Sequence, residues 1–413
     1  MRMGLGVILG MILAVVAYGI EVGLRAPTPL PQPGATAVQV PPAPEPLPPE
    51  TETLIAQLGG TQRLVDPPRG DLRMVVISDL NSAYGSTDYT PEVDMAMKLI
   101  PFWRPDMVLC SGDMVAGQSP TLSRAQIQAM WAAFDQHVAA PLRRLKLPYG
   151  FTMGNHDASS ARSTSGKFLF QQERDLASAY WRNPKHDPGV QFIDRYEFPF
   201  YYTFRYRDAF FLAWDGSSDY IPPDKLAWVE KALASPAAQQ AKIRVLIGHL
   251  PLYSVAIGRN DPGEVMRNAD QLRAMLEKYR VHTYISGHHH AYYPAHRGKL
   301  QLLHMGILGA GPRPLIAGNS PPFRALTVLD INFKSPNLTT YTTYRMPSLE
   351  LVDIKTLPRM LQGHNGMVLR RDVQPTALSR EEIAACVEQL DAQRCGLRED
   401  WDVATQTLRP AGV

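Results

Sequence analysis

Two short polar stretches hold most of the side chains in this sequence that could do chemistry: Gly287-His288-His289-His290 and Gly154-Asn155-His156-Asp157. Three other places offer the same kinds of group, at Asp79 and Asn81, at Gly112-Asp113 and at Gly248-His249. Carboxylate and amide oxygens together with imidazole nitrogens make a mixed donor set that suits Mn, Fe or Zn, and an imidazole can also move a proton near neutral pH. Groups so far apart in sequence must be brought together by the fold, and the segments before them say how. Met74-Val75-Val76-Ile77-Ser78 leads into Asp79, and Asp106-Met107-Val108-Leu109-Cys110 leads into Gly112-Asp113. Tyr149-Gly150-Phe151-Thr152-Met153, Ile243-Arg244-Val245-Leu246-Ile247 and Val281-His282-Thr283-Tyr284-Ile285-Ser286 lead into Gly154, Gly248 and Gly287. Five buried-type strands therefore end in Asp, Asn or His, with glycine beside four of the ends. An open α/β sheet gathers ligands in this way, at the carboxyl edge of its strands.

In this order the five blocks resemble those of the calcineurin-like metallophosphoesterase superfamily, which run Asp-x-His, Gly-Asp, Gly-Asn-His-Asp/Glu, Gly-His and Gly-His-x-His. Each block alone is a weak signal; five in order behind five strand patterns are a strong one, covering roughly residues 72 to 345. The resemblance implies an α/β fold, a four-layer αββα sandwich of two mixed β-sheets stacked face to face with helices outside. It also implies two divalent ions side by side. Asp113 would bridge them, since a carboxylate has two oxygens; Asp79, His290 and Asn81 would hold one ion, and Asn155, His249 and His288 the other. His156 would protonate the leaving oxygen or donate to the phosphoryl group, with Asp157 fixing its tautomer, while a hydroxide bridging the ions attacks in line.

One block departs from the superfamily, at Asn81, where the pattern has histidine. An amide oxygen is a neutral, weaker donor, so the first metal site is expected to be looser or to favour a harder ion; Mn is the expected metal, with Fe or Zn as alternatives. Asn81 could instead be an Asx-turn residue. Tyr201-Tyr202-Thr203-Phe204 and Gly248-His249-Leu250-Pro251-Leu252-Tyr253-Ser254 look similar to the purple acid phosphatase branch. Ala116 stands where that branch would carry its tyrosine ligand, so no tyrosinate-to-iron colour is expected. His289 reads as a spacer between two ligands, and His282, His296, His304, Tyr84, Tyr292 and Tyr293 as structural residues near the site.

The remaining elements follow from local signals. Thr90-Pro91 reads as N-cap and first residue of a helix to about Phe102, and Ser123 with Gln126 as a capping box before a helix burying Ile127, Met130, Trp131 and Phe134. Residues 158–194 read as an insertion near the site edge, with a helical stretch around Phe168 to Trp181. Tyr201–Tyr206 and Ala209–Trp214 read as a hairpin, with helices expected from Asp224 and over Glu264–Tyr279. Strands are expected at Gln301–Gly306, Arg324–Asn332 and Leu338–Tyr344. After Met346 the pattern loosens, save for a helix from Ser379 to about Leu390, and this tail is expected to pack on the outside.

With 413 residues, 45% of them hydrophobic, the chain can bury a sizeable core, and a net charge of +3 without a Lys/Arg stripe argues against a nucleic-acid partner. Arg2 precedes an uncharged apolar run from Gly4 to Ile20, which reads as a signal anchor or a signal peptide that leaves the bulk of the chain outside the cytoplasm. From Ala26 to Glu50 about two residues in five are proline, an extended spacer. The expected organisation is thus 1–25 anchor or signal peptide, 26–52 linker, 53–345 metallophosphoesterase domain and 346–413 C-terminal extension. Cys386 and Cys395 could pair in an oxidising compartment or remain thiols. The expected activity is metal-dependent hydrolysis of a small phosphomonoester or phosphodiester, in a protein bound to a membrane by its N-terminal segment. The alternative is a degenerate member that binds metal or phosphate without turnover, as an envelope module.

Overall fold

The apolar run at residues 72–77 forms a strand buried along its whole length, β1 (Leu72–Ile77), and everything that positions the site is built out from it. In the computed structural model, residues 46–61 and 64–396 are described, with the backbone of 401–402 and 407–408; the N-terminal apolar run and most of the proline-rich stretch lie outside the described residues. β1 is followed by β2 (Met107–Cys110) and β3 (Tyr149–Phe151), then β4 (Gln191–Glu197), β5 (Tyr201–Tyr206), β6 (Ala209–Ala213), β7 (Ile243–Ile247) and β8 (Thr283–Ser286). The order continues with β9 (Tyr293–Arg297), β10 (Leu300–His304), β11 (Arg324–Ile331), β12 (Thr339–Met346), β13 (Met360–Gly363) and β14 (Gly366–Arg370).

Two mixed sheets result, as expected: β12-β11-β1-β2-β3, and β13-β14-β9-β10-β8-β7-β6-β5-β4. β1, β2 and β3 are mutually parallel, as are β6, β7, β8 and β10. Strands covered on both faces need no polar alternation, which is why these segments read as largely apolar runs. The sheets meet through aromatic side chains. The Tyr202 hydroxyl accepts from the Phe151 N–H at 3.0 Å, and the Phe204 ring fills the space over Gly150, where a Cβ would come within 2.6 Å of it. The Phe151 ring in turn stacks on Trp181 with centroids 3.9 Å apart.

The helices are α1 (Pro49–Gln57), α2 (Pro91–Leu99), α3 (Arg124–Phe134), α4 (Ala140–Arg144), α5 (Asn155–Ala158), α6 (Gln171–Arg182), α7 (Pro223–Ala234), α8 (Pro236–Gln240), α9 (Ala269–Lys278) and α10 (Arg380–Gln389). The Ser123/Gln126 capping box opens α3, which buries the four expected residues, and the Ser379/Glu382 box opens α10. Thr90 precedes α2 but makes no side-chain cap; its hydroxyl donates to the Leu308 carbonyl instead. α9 starts five residues later than expected, after Asn268 in a left-handed conformation at φ +59°. The segment before it is drawn away by backbone bonds from Met266 to Pro251 and from Arg267 to Asp219. α1 begins inside the stretch read as linker, because Pro49 fits its first turn and Thr51 docks it by donating to the Lys98 carbonyl at 2.7 Å. Among the described residues no helix is long and apolar enough to cross a membrane.

The segment after Met346 is more than an outer covering. β13 and β14 extend the larger sheet from β9. The Arg297 guanidinium, on β9, donates to the carbonyls of Met367 and Arg394 at 2.7 Å each. Cys386 and Cys395 form a disulfide, their Cα atoms 5.9 Å apart, in a small apolar cluster with Met367 and Leu369. Replacing both cysteines with serine is expected to destabilise this tail by about 2 to 3 kcal/mol. Limited proteolysis should then cut near α10 before the sheets melt; equal resistance in the variant and the oxidised parent would contradict this.

Candidate metal centre

The five parallel strand ends deliver their polar residues to one place. Asp79 follows β1, Asp113 follows β2, Asn155 opens α5 after β3, His249 follows β7, and His288 and His290 follow β8. Four of these leave their strands with positive φ: Asp79 at +51°, Asp113 at +56°, His288 at +64° and His290 at +53°. Left-handed conformations outside glycine cost roughly 1 to 3 kcal/mol each and persist only where the surroundings fix them. Here the Asp79 N–H donates to the Gly112 carbonyl at 3.0 Å, the Leu80 N–H to Asp113 at 2.8 Å, and the Gly287 N–H to His249 at 3.0 Å. Two glycines are needed for close approach. A Cβ on Gly154 would fall on Asp113 Oδ1, and one on Gly287 would fall on Ser78 Oγ and lie 2.5 Å from Asp79 Oδ2.

Each imidazole is oriented from outside by a fixed acceptor. His249 Nδ1 donates to the Ser111 carbonyl at 2.7 Å and His290 Nδ1 to the Gly311 carbonyl at 2.9 Å, which leaves both Nε2 atoms facing inward. His288 Nε2 donates to Glu264 Oε2 at 2.8 Å, so its Nδ1 faces inward. Asn155 Nδ2 donates to Gln118 Oε1 at 2.6 Å, which turns Oδ1 toward the imidazoles.

What these inward atoms face is other acceptors. His249 Nε2 and His288 Nδ1 each lie 2.9 Å from Asn155 Oδ1, and His249 Nε2 lies 3.3 Å from Asp113 Oδ2. His290 Nε2 lies 3.3 Å from Asp79 Oδ1. Asp113 Oδ2 is buried and has no hydrogen-bond donor. Burial, with the charge of His249, pushes His288 down to about 4 despite Glu264, so the ring is neutral and its Nδ1 lone pair meets the amide oxygen's lone pair head on. Burial also disfavours a charged His249, but the Asp113 carboxylate outweighs it and raises this imidazole to about 9. Burial raises the Asp113 and Asp79 carboxyls, and the imidazoles beside them more than reverse this, holding both below the usual range. Atoms bound to one ion at about 2.1 Å lie roughly 3.0 to 3.4 Å apart. The donor set therefore fits divalent cations in spacing, in chemistry and in its unmet need for positive charge. The ligand atoms of Asp79, Asp113 and His249 all fall within 4.8 Å of one another.

Three expected details change. Asp113 Oδ1 accepts the His156 N–H at 2.9 Å, so the two oxygens are not equivalent and Oδ2 is the freer one. Asp157 does not set the tautomer of His156; the Gly117 carbonyl does, accepting from Nδ1 at 2.9 Å, with Nε2 4.0 Å from Asp113 Oδ2. The Asp157 carboxylate instead clamps backbone, accepting from Met114, Val115 and Gly154 N–H groups at 2.7 to 2.9 Å. Burial and the charge of Asp113 push it up to about 7, against the donors of Gly154 and Val115. Asn81 is buried, its N–H reaching the Asp113 carbonyl at 3.3 Å, and its amide makes no hydrogen bond among the described residues.

A sequence profile described as calcineurin-like phosphoesterase matches residues 72–292. The chain belongs to this family. None of the curated proteins matches it in sequence. Among solved structures it is similar to a purple acid phosphatase from yellow lupin seeds, at 17% identity and a TM-score of 0.50 over 70% of this chain and 54% of that one. The chain thus spans about half the length of the plant enzyme, and the likeness is one of fold. It also aligns with GAP50, the anchor in the inner membrane complex of Plasmodium, at 15% identity and a TM-score of 0.41 over 77% of this chain and 94% of that one.

Around the family's blocks, the chain adds contacts that its sequence does not announce. Glu264 sits in a loop, where it is paired with Arg259 at 2.6 Å as well as with His288. Gln118 lacks any motif. His289 is more than a spacer: its Nδ1 accepts from the Val255 N–H at 3.2 Å and its Nε2 donates to the Glu264 carbonyl at 3.0 Å, holding that loop. His296 and His304 bond backbone carbonyls, and His282 bonds the Thr283 hydroxyl, away from the centre. The Tyr84 ring centroid lies 5.0 Å from that of His156, and Ala116 is buried. Changing Glu264 to Ala frees the His288 ring to turn and is expected to weaken Mn²⁺ binding by about 10- to 100-fold. Equilibrium metal titration measures this, and an unchanged dissociation constant would show that the carboxylate does not hold the ligand.

Proposed function

We propose that this phosphoesterase is a binuclear enzyme that hydrolyses a phosphomonoester or phosphodiester of a small molecule outside the cytoplasm. The observation that carries the reading is the meeting of the neutral His288 Nδ1 with Asn155 Oδ1 at 2.9 Å, two acceptors with no proton between them, beside the buried Asp113 Oδ2. Asn155, His249 and His288 would hold one cation, Asp79 and His290 with Asn81 the other, and Asp113 would serve both. Divalent cations, when bound, supply Lewis acidity to the phosphoryl oxygens and lower the pKa of a water nucleophile.

The residues of the chain do the rest. With Nδ1 committed to the Gly117 carbonyl, His156 presents Nε2 to the centre, and in its protonated form it donates to the leaving oxygen. Only its edge is open, with the side chain 13% exposed. The mixture of imidazole and oxygen donors, with an amide at Asn81, favours Mn²⁺. The disulfide supports an oxidising compartment, and the apolar run Gly4–Ile20 supports a membrane tether.

The test is an assay of purified protein, stripped of metal and reloaded, on an aryl phosphate and an aryl phosphodiester. Two ions per chain and turnover highest with Mn²⁺ are expected. Asp113→Asn should lower activity by roughly 100-fold or more, together with metal content. Metal binding without turnover on either ester would favour the binding-module reading, and equal or better turnover with Zn²⁺ would refute the metal preference. His156→Ala should lower kcat by about 10²- to 10⁴-fold on an alkyl phosphate and much less on p-nitrophenyl phosphate, whose leaving group needs no proton. Equal losses on the two would remove His156 from proton delivery.

A further inference from the structure

The loop Gly117–Ser119 touches the metal centre at two points and is held from behind by a single buried carboxylate. Gln118 Oε1 accepts from Asn155 Nδ2 at 2.6 Å. One residue earlier, Gly117 forms a two-bond latch with His156: its N–H donates to the His156 carbonyl and its carbonyl accepts from Nδ1, both at 2.9 Å. Gly117 has no room for a side chain, because a Cβ there would meet the His156 carbonyl at 2.5 Å and Glu173 Oε2 at 3.0 Å. Gln118 itself stands at φ +66°, a conformation that must be held in place.

What holds it comes from α6, in the insertion after the Gly154-Asn155-His156-Asp157 block. Glu173 is 3% exposed; it accepts from the Gln118 N–H at 2.8 Å and from the Ser119 N–H at 3.2 Å. No ion pair reaches Glu173 among the described residues, so those two amides are the partners that offset its burial. The next residue fixes the helix: Arg174 donates to the Ala158 carbonyl at 2.7 Å and to Asp215 at 2.8 Å, between the Phe168 and Phe200 rings.

We infer that Gln118 and Glu173 are positioning residues: Gln118 turns the oxygen of Asn155, and not its NH₂, toward the metal, and Glu173 fixes the loop that orients both Asn155 and His156. The two ends of a carboxamide have the same shape, so packing alone does not choose between them; a hydrogen-bond acceptor on the far side does. An NH₂ group turned inward would offer two protons where a cation needs a lone pair. The part concerning His156 rests on the phosphoesterase reading, whereas the part concerning Asn155 rests on metal binding alone.

The experiment uses full-length protein and two readouts, the Mn²⁺ dissociation constant and the ratio of kcat/KM for p-nitrophenyl phosphate to that for an alkyl phosphate. Gln118→Leu should weaken Mn²⁺ binding by about 10-fold or more while leaving the ester ratio and Tm near those of the parent. Gln118→Glu keeps an acceptor at the same place and should restore binding to within about 3-fold. Glu173→Ala should weaken Mn²⁺ binding and also raise the ratio by about 10-fold, as the His156 imidazole loses its setting. Glu173→Gln, with one acceptor oxygen left, should fall between, and it stands in for the alanine variant if that does not fold. Parent-like Mn²⁺ affinity in Gln118→Leu overturns the role of Gln118. A folded Glu173 variant with both readouts unchanged overturns that of Glu173. Parent protein that binds Mn²⁺ but hydrolyses neither ester defeats the phosphoesterase reading, while the Mn²⁺ titrations still decide the role of Gln118.

Discussion

A buried centre in which the lone pairs of the neutral His288 Nδ1 and of Asn155 Oδ1 face each other at 2.9 Å is repulsive unless positive charge lies between them, and the surrounding structure is arranged to keep that repulsion from relaxing. Each ring could relieve it by turning, and each is prevented by an anchor on its outer edge: Ser111 for His249, Gly311 for His290, Glu264 for His288. The Asn155 amide could relieve it by turning over, and Gln118 prevents this. Three of the anchors are uncharged oxygens, two from the backbone and one from an amide. Only the His288 ring is held by a further anion, Glu264, and that carboxylate is itself paired with Arg259.

Such preorganisation needs rigid support, and the chain obtains it by dividing the candidate ligands between two sheets. Asp79, Asp113 and Asn155 follow strands of the smaller sheet, and His249, His288 and His290 follow strands of the larger one. A small slip of one sheet against the other would open the donor set by the same distance. The side chains between them resist slipping, because Phe151, Tyr202, Phe204 and Trp181 interlock and the Thr152 hydroxyl, on the strand-end side, donates to the Trp214 carbonyl at 2.7 Å. Each buried aromatic contributes roughly 1.5 to 3 kcal/mol, on the scale of one strained turn at the strand ends. The core thus offsets strain that the site requires.

The sequence shows the parts of this arrangement that are local. Apolar runs ending in glycine and a polar group disclose β1, β2, β3, β7 and β8, because a doubly covered strand has no polar face to confuse the pattern. Other strands of the larger sheet are harder to see. β4 is largely exposed and pairs with β5 through register shifts, and β9 carries Pro294, which lacks an N–H and argues against a strand. At the site, ligand types are legible because their chemistry requires particular side chains, whereas their supports are backbone carbonyls that any residue could supply. Asp157 illustrates the difference. Its place next to His156 suggests a partner for the imidazole, yet the turn into α5 points the carboxylate back at the amides of Met114, Val115 and Gly154.

The insertion after α5 unites these points. An added segment would ordinarily decorate the edge of a site, and part of this one does border a cavity of about 710 Å³ lined by Arg162, Phe168, Phe200, Tyr201 and Tyr220. Its helix, however, faces the other way at Glu173, and there it meets backbone rather than solvent. A carboxylate buried without a counter-ion is costly unless its lone pairs are met by donors, and the N–H groups of Gln118 and Ser119 are donors that a loop in another conformation would not offer. Burial pushes Glu173 up to about 7, with the two amides opposing. The loop conformation and the carboxylate are thus each stabilised by the other, which makes the insertion part of the metal centre's frame.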